Sequence, residues 1–468
     1  MAGAPVGIVG SFAANRPYLS IGVLVIGLVA LAVIGARAAP QNAALIADFA
    51  IATTLVIAAP MALAALVPDR GPLRYVSATA LIAVLGAVAA LDPSAAPFGI
   101  AISRVAIIAA LILFLFFWAL APHAQNVARL GLLAPFASTL GATGTAGYFA
   151  AEAMLPTVEA AIALALAVSL GVGAGVNVAA HFAKRFAAGA DQRIAAVAGG
   201  HGAVAFSAYS LILVAAFFVV YSDALNFGAI DWPVVLGGVT AAAVAMATAL
   251  VSVAGGLSLS TVSEQVAADE NRRAQWFARI WRPVRLALPT STAAGATAIV
   301  GILTVIAGFE VGVVDPMRLA VFVVLVWVAA AIAFVSVRTA TLVAVLLLFS
   351  SILAEYALSV LSAPRPDPTE RFAGLTLAAA ALGAMTESWR DAGEAWRNAR
   401  DVVQHALSDG LRRYLFIVGV GAAALFASGQ VFDWAGALAV AIYFLATTLF
   451  ALLAAPAMMT ALSAQFRH

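Results

Sequence analysis

Residues 340 to 361 read ATLVAVLLLFSSILAEYALSVL, a run broken by a single charge, Glu355. About 20 apolar residues in a helix span the hydrocarbon of a bilayer. In that medium every backbone N–H and C=O must be paired within the protein, so a crossing segment is either a helix or a strand of a closed barrel. No alternating barrel pattern is present, and helix is the reading. The same signature recurs along the whole chain, which is 64% hydrophobic and 10% charged, with a mean hydropathy of +1.06. A soluble domain of 468 residues has no interior large enough for that much apolar surface.

The sequence therefore predicts an all-α, polytopic membrane protein of about 14 spans. They fall near 19 to 38, 45 to 67, 75 to 91, 100 to 121, 131 to 152, 158 to 180, 201 to 222, 232 to 257, 284 to 308, 316 to 336, 340 to 361, 373 to 386, 411 to 430 and 435 to 462. The first ends in Ala36-Arg37-Ala38, which mimics a signal-peptidase site, but the stretch before it holds only Arg16 as a positive charge, and a retained span is expected. Cysteine is absent, which excludes disulfides, thiol catalysis and thiolate metal sites.

With both termini on the cytoplasmic side, all but five of the 24 Lys and Arg fall in loops on that side. The five are Arg37, Arg104, Arg318, Arg365 and Arg371, and the opposite turns carry Asp92, Asp223, Asp231, Glu310, Asp315 and Asp433. This bias obeys the positive-inside rule and places the chain in a plasma (inner) membrane with both termini cytoplasmic. The segments 181 to 200, 258 to 283 and 387 to 410 read as helices lying along the membrane surface. The middle one shows the pattern best, with Trp276, Phe277, Ile280 and Trp281 among arginines.

Sliding the sequence against itself by about 203 residues lays Ala151-Glu152-Ala153-Met154-Leu155 on Ala354-Glu355-Tyr356-Ala357-Leu358, and nearly aligns Asp231-Trp232 with Asp433-Trp434. The expected organisation is an N-terminal helix pair (1 to 70), a first six-helix repeat (71 to 258), a cytoplasmic amphipathic connector (259 to 283) and a second six-helix repeat (284 to 468). An even number of spans gives both repeats the same orientation, related by an axis along the membrane normal.

At the end of the fourth span of the first repeat stands Val176-Asn177-Val178-Ala179-Ala180-His181-Phe182-Ala183-Lys184-Arg185-Phe186, after Gly171, Gly173 and Gly175. This resembles the resistance-nodulation-division (RND) superfamily, particularly its lipid-exporter branch, in which a glycine-rich fourth helix ends in V-D-Y-x-x-H-x-x-x-R-[YF]. The resemblance implies a transport-type core for a lipid-like or hydrophobic substrate. Two departures bear on coupling and cargo: Asn177 stands where proton-coupled members carry the relay acid, and an amide does not titrate. The large extracytoplasmic domains of the family are replaced by the short connections 92 to 99 and 309 to 315. A non-transporting scaffold or accessory subunit of a larger membrane complex is the rival expectation.

Ionisable groups within spans are costly and mark the candidate proton or substrate pathway. Glu152 and Glu355 occupy matching places in the two repeats and are the leading candidates for carrying a proton or binding a cation. Glu159 follows Pro156 at a helix start, where stabilising the helix N-terminus is the simpler role. Asp48, with Gln41 and Asn42 before it, reads as interfacial or as a partner for Arg37. Asn177 and His181 lie one turn apart on one face, the spacing of a hydrogen-bonded packing pair. Gly141-x2-Gly144-x2-Gly147 sits within an apolar span with no lysine following it, so it reads as small-residue packing and not as a phosphate loop. Five histidines without ligand spacing predict no metal. No catalytic constellation or cofactor motif is present, so no enzymatic activity and no cofactor are expected. The expected partners are membrane lipids and, in the membrane or the extracytoplasmic space, other proteins, with no nucleic acid.

Overall fold

The computed structural model describes residues 15–61, 133–152, 154–222, 230–259, 290–311, 315–391 and 410–465. Its elements are α1 (Pro17–Ala38), α2 (Ala43–Thr53, continued by a π-helical turn over Thr54–Ala58), α3 (Leu133–Ala151), α4 (Val158–Ala187), α5 (Gln192–Gly202), α6 (Val204–Tyr221) and α7 (Trp232–Leu259). They continue as α8 (Thr290–Val311), α9 (Pro316–Phe334), α10 (Val337–Val360), α11 (Arg371–Asp391), α12 (Leu411–Val431) and α13 (Ala437–Gln465). Every expected span falls on a helix except 75 to 91 and 100 to 121, which lie outside the described residues, as does the connector 260 to 283. Among the described residues, nine helices are long and apolar enough to cross a membrane. The chain is a polytopic helical membrane protein.

The segment 181 to 200 corrects one expectation. It is not a separate surface helix: α4 runs on to Ala187 and α5 starts at Gln192, with a turn through Gly189 at φ +87° between them. The reason is local. Lys184 and Arg185 sit in the last turn of α4, where cations complement the helix dipole, and the Asp191 carboxylate caps α5 by accepting from the Arg193 N–H at 3.1 Å. Of the segment 387 to 410, the first residues extend α11 to Asp391, and residues 392 to 409 lie outside the described residues.

The chain divides into two compact units, each gathered from separate stretches. The first comprises Met1–Val204, Thr240–Glu270 and Gly419–Ala435. Here α3 packs against α1, α2 and α4, and its glycine run does the work expected of it. A methyl group on Gly141 would come within 2.8 Å of the Ala245 Cα, one on Gly144 within 2.9 Å of Leu28, and one on Gly147 within 2.6 Å of the Leu31 carbonyl oxygen. Gly35 of α1 lies directly on the Gly147 backbone. In lipid, where the hydrophobic effect does not drive helices together, such close approach is what dispersion and backbone contacts require. The Ser428 hydroxyl donates to the Ala161 carbonyl at 2.7 Å, and Phe49 packs on Phe432 with centroids 5.8 Å apart.

The second unit comprises Ala205–Val239, Asn271–Val418 and Gly436–His468. At its centre α10, α11 and α13 pack mutually, with α8 against α10 and α13 and α9 against α10 and α11. The fully buried Tyr209 donates its hydroxyl to the Ala379 carbonyl at 3.0 Å and lies over Gly383, where a side chain would collide with its ring. Asp315 caps α9 and bridges Arg318 at 3.0 Å, so Arg318 is held buried at the helix start.

Candidate functional site

Helix α10 carries Glu355 just over one turn before its end. The link that follows holds Pro364, Pro366 and Pro368, which supply no backbone N–H and cannot continue a helix, so the chain turns back and α11 begins at Arg371. That reversal brings Arg371 beneath Glu355. Arg371 Nη1 donates to Glu355 Oε1 at 2.6 Å, an ion pair whose side chains are only 4% and 13% exposed. Helix α13 adds Tyr443, whose buried ring and hydroxyl stand beside the carboxylate. Arg365, in the proline-rich link, donates to the Ser359 hydroxyl at 2.6 Å.

These groups line a cavity of about 40 Å³ formed by Glu355, Leu358, Arg365, Pro366, Pro368, Arg371 and Tyr443. A single water needs roughly 10–15 Å³ of such space, so a few waters fit and a lipid does not. A lone carboxylate here would be prohibitively costly. The short, charge-assisted contact to a guanidinium lowers that cost, and the pair stands at the edge of a space that admits water.

The other expected site residues all belong to the first unit. Glu152 is exposed in the turn after α3, where its N–H donates to the Tyr148 carbonyl at 3.0 Å. Glu159 is half-buried in the first turn of α4, behind the Thr157 cap that accepts from the Ala160 N–H at 3.1 Å. Asp48 is half-buried on α2, and among the described residues no ion pair joins it to Arg37. Its neighbour Asn42 is buried and donates to the Leu155 carbonyl at 3.2 Å. Asn177 is fully buried on α4 and His181 half-buried a turn later, with its ring against Gly202 of α5. Among the described residues no group of three or more His, Asp or Glu could hold a metal ion.

The structure thus brings together Glu355, Arg371 and Tyr443, of which sequence reasoning singled out only the first. A signal for Arg371 was present: a carboxylate within a span calls for a counter-charge, and Arg371 is one of two arginines in the link next to it. Tyr443, one polar atom in an apolar helix, gave none.

No family model matches the sequence, and no curated protein is similar enough to match it. Among solved structures, the chain is similar to SecDF from Thermus thermophilus, described as a translocon-associated membrane protein, at 14% identity and a TM-score of 0.47, over 75% of this chain and 60% of that one. It is likewise similar to SecDF in a super-membrane-facing form, at 14% identity and a TM-score of 0.47, over 78% of this chain and 61% of the other. The chain spans about three fifths of the length of the SecDF chains it matches.

Proposed function

We propose that this chain is a transport-type membrane protein with an RND-like core, in which Glu355 is the group that takes up and releases a proton and Arg371 is its counter-charge. The observation that carries this reading is the buried ion pair at the edge of a cavity large enough for water. A scaffold has no need of a carboxylate at such a place, whereas charge-coupled transport needs one that can change partner. The pattern Val176 to Phe186 supports the RND-like build, and Asn177 moves the proton-carrying role away from that helix. A lipid-like cargo follows only from the family resemblance, and the cavity at Glu355 admits nothing of that size.

The same reading includes the internal duplication. At the offset of about 203 residues, α3, α4, α6 and α7 fall on α10, α11, α12 and α13, which supports two repeats of one orientation. It also includes an inner-membrane location with both termini cytoplasmic, which puts the Glu355 cavity at the extracytoplasmic end, and no enzymatic activity. Partners are membrane lipids and neighbouring membrane or extracytoplasmic proteins.

Infrared difference spectra of the reconstituted protein between acidic and alkaline pH test the central residue. The wild type is expected to show a protonated-carboxyl band that Glu355→Gln lacks. A band unchanged in Glu355→Gln sinks the assignment and leaves the scaffold reading in its place.

A further inference from the structure

Most buried hydroxyls in the second unit are satisfied by their own helix. Ser350, Thr376, Thr386, Thr448 and Thr460 donate to the carbonyl four residues earlier, at 2.5 to 2.9 Å, and Ser351 to the carbonyl three residues earlier at 2.8 Å. Two hydroxyls of α13 depart from this pattern. Tyr443 Oη and Thr447 Oγ1 are fully enclosed and make no hydrogen bond in the structure. They lie one turn apart on one face of α13, and opposite them α10 presents Ser351 and Glu355, also one turn apart. The Tyr443 hydroxyl faces Ser351, Thr447 and Glu355. It also lines the cavity that Glu355 and Arg371 line.

Buried polar atoms in folded proteins are satisfied by protein or by ordered water, and a polar site with room and several partners holds water. A cation is a poor occupant, since Arg365 and Arg371 against the single carboxylate leave the lining net positive. We propose that ordered water fills the cavity at Glu355 and continues past the Tyr443 hydroxyl to Thr447, forming a short hydrogen-bonded chain that leads one helical turn inward between α10 and α13. Resting on the reading of Glu355 as the proton-carrying group, this chain is the inward path of that proton. Each hop forms one O–H bond and breaks another, so the carboxyl gives its proton to water, each water passes one on, and Tyr443 and Thr447 end as they began. Both are positioning residues that hold the water in line.

Hydroxyl-radical labelling of the full chain, reconstituted in lipid and irradiated in water enriched in oxygen-18, reads ordered water directly. Tyr209 is the internal control, equally buried but with its hydroxyl bonded to the Ala379 carbonyl. Tyr443 is expected to label several-fold faster than Tyr209, and Thr447→Val, which keeps the shape and removes the hydroxyl, is expected to bring Tyr443 down towards the control. Ser351→Ala gives the same test from α10 should Thr447→Val fail to fold. Labelling of Tyr443 no faster than Tyr209 overturns the water site, and fast labelling unaffected by both variants overturns its inward extension. Glu355→Gln separates the two claims: loss of the titrating carboxyl leaves Tyr443 labelled if water is there regardless, so a dry Tyr443 defeats this inference alone, while unaltered infrared bands defeat only the role of Glu355.

Discussion

Arg371→Leu is expected to destabilise the protein by about 3 to 5 kcal/mol, the usual cost of leaving one member of a buried ion pair without its partner. The change removes the guanidinium at 2.6 Å and leaves the Glu355 carboxylate among Leu358, Tyr443 and the prolines of the link, with Arg365 as the remaining cation of the lining. Glu355→Gln is milder, because the amide oxygen still accepts from Arg371 Nη1 and only the charge attraction is lost. Replacing both residues by leucine removes the two desolvation costs together and is expected to recover most of the loss. Thermal unfolding in detergent, with ligand-free protein at one pH, orders the three variants. A double variant as unstable as Arg371→Leu alone contradicts the account of the pair as mutually compensating charges.

The second large effect concerns the contact of α1 with α3. Gly147→Leu places a side chain where even a methyl group meets the Leu31 carbonyl oxygen at 2.6 Å and the Ala32 Cα at 2.9 Å. Backbone atoms cannot rotate aside as a side chain can, so the helices must separate, and the cost is expected at or above the upper end of the overpacking range, about 3 kcal/mol. Gly27→Leu on α1, with nothing within 4 Å of its added carbon, is expected to stay within about 0.5 kcal/mol of wild type. Size-exclusion profiles after heating separate the two. Equal tolerance at Gly27 and Gly147 removes the close helix approach.

How far the sequence led can be judged from these same residues. The spans were legible because apolar length is a strong signal and lipid leaves the backbone only one helical solution. The glycine run of α3 was legible as packing, but its partners, Leu28, Leu31 and Ala245, were not, since close approach depends on which helices become neighbours. Lys184, Arg185 and Asp191 misled because a polar run reads as a surface element until its charges are recognised as helix ends. Glu355 was legible as an unusual charge within a span. Arg371 was read as a loop charge, since the span drawn from residue 373 began two residues too late, and the proline turn that delivers it beneath Glu355 acts across sixteen residues. Tyr443 and Thr447 look like ordinary helix residues, and only burial without a hydrogen bond sets them apart.

The claim that Glu355 carries the proton is tested most directly by proton flux through the purified chain in sealed vesicles containing a pH-sensitive dye, with an imposed pH gradient. The account predicts that wild-type protein dissipates the gradient, that Glu152→Gln does so at the wild-type rate, and that Glu355→Gln, folded and reconstituted to the same density, falls to the leak of protein-free vesicles. Wild-type flux in Glu355→Gln contradicts it.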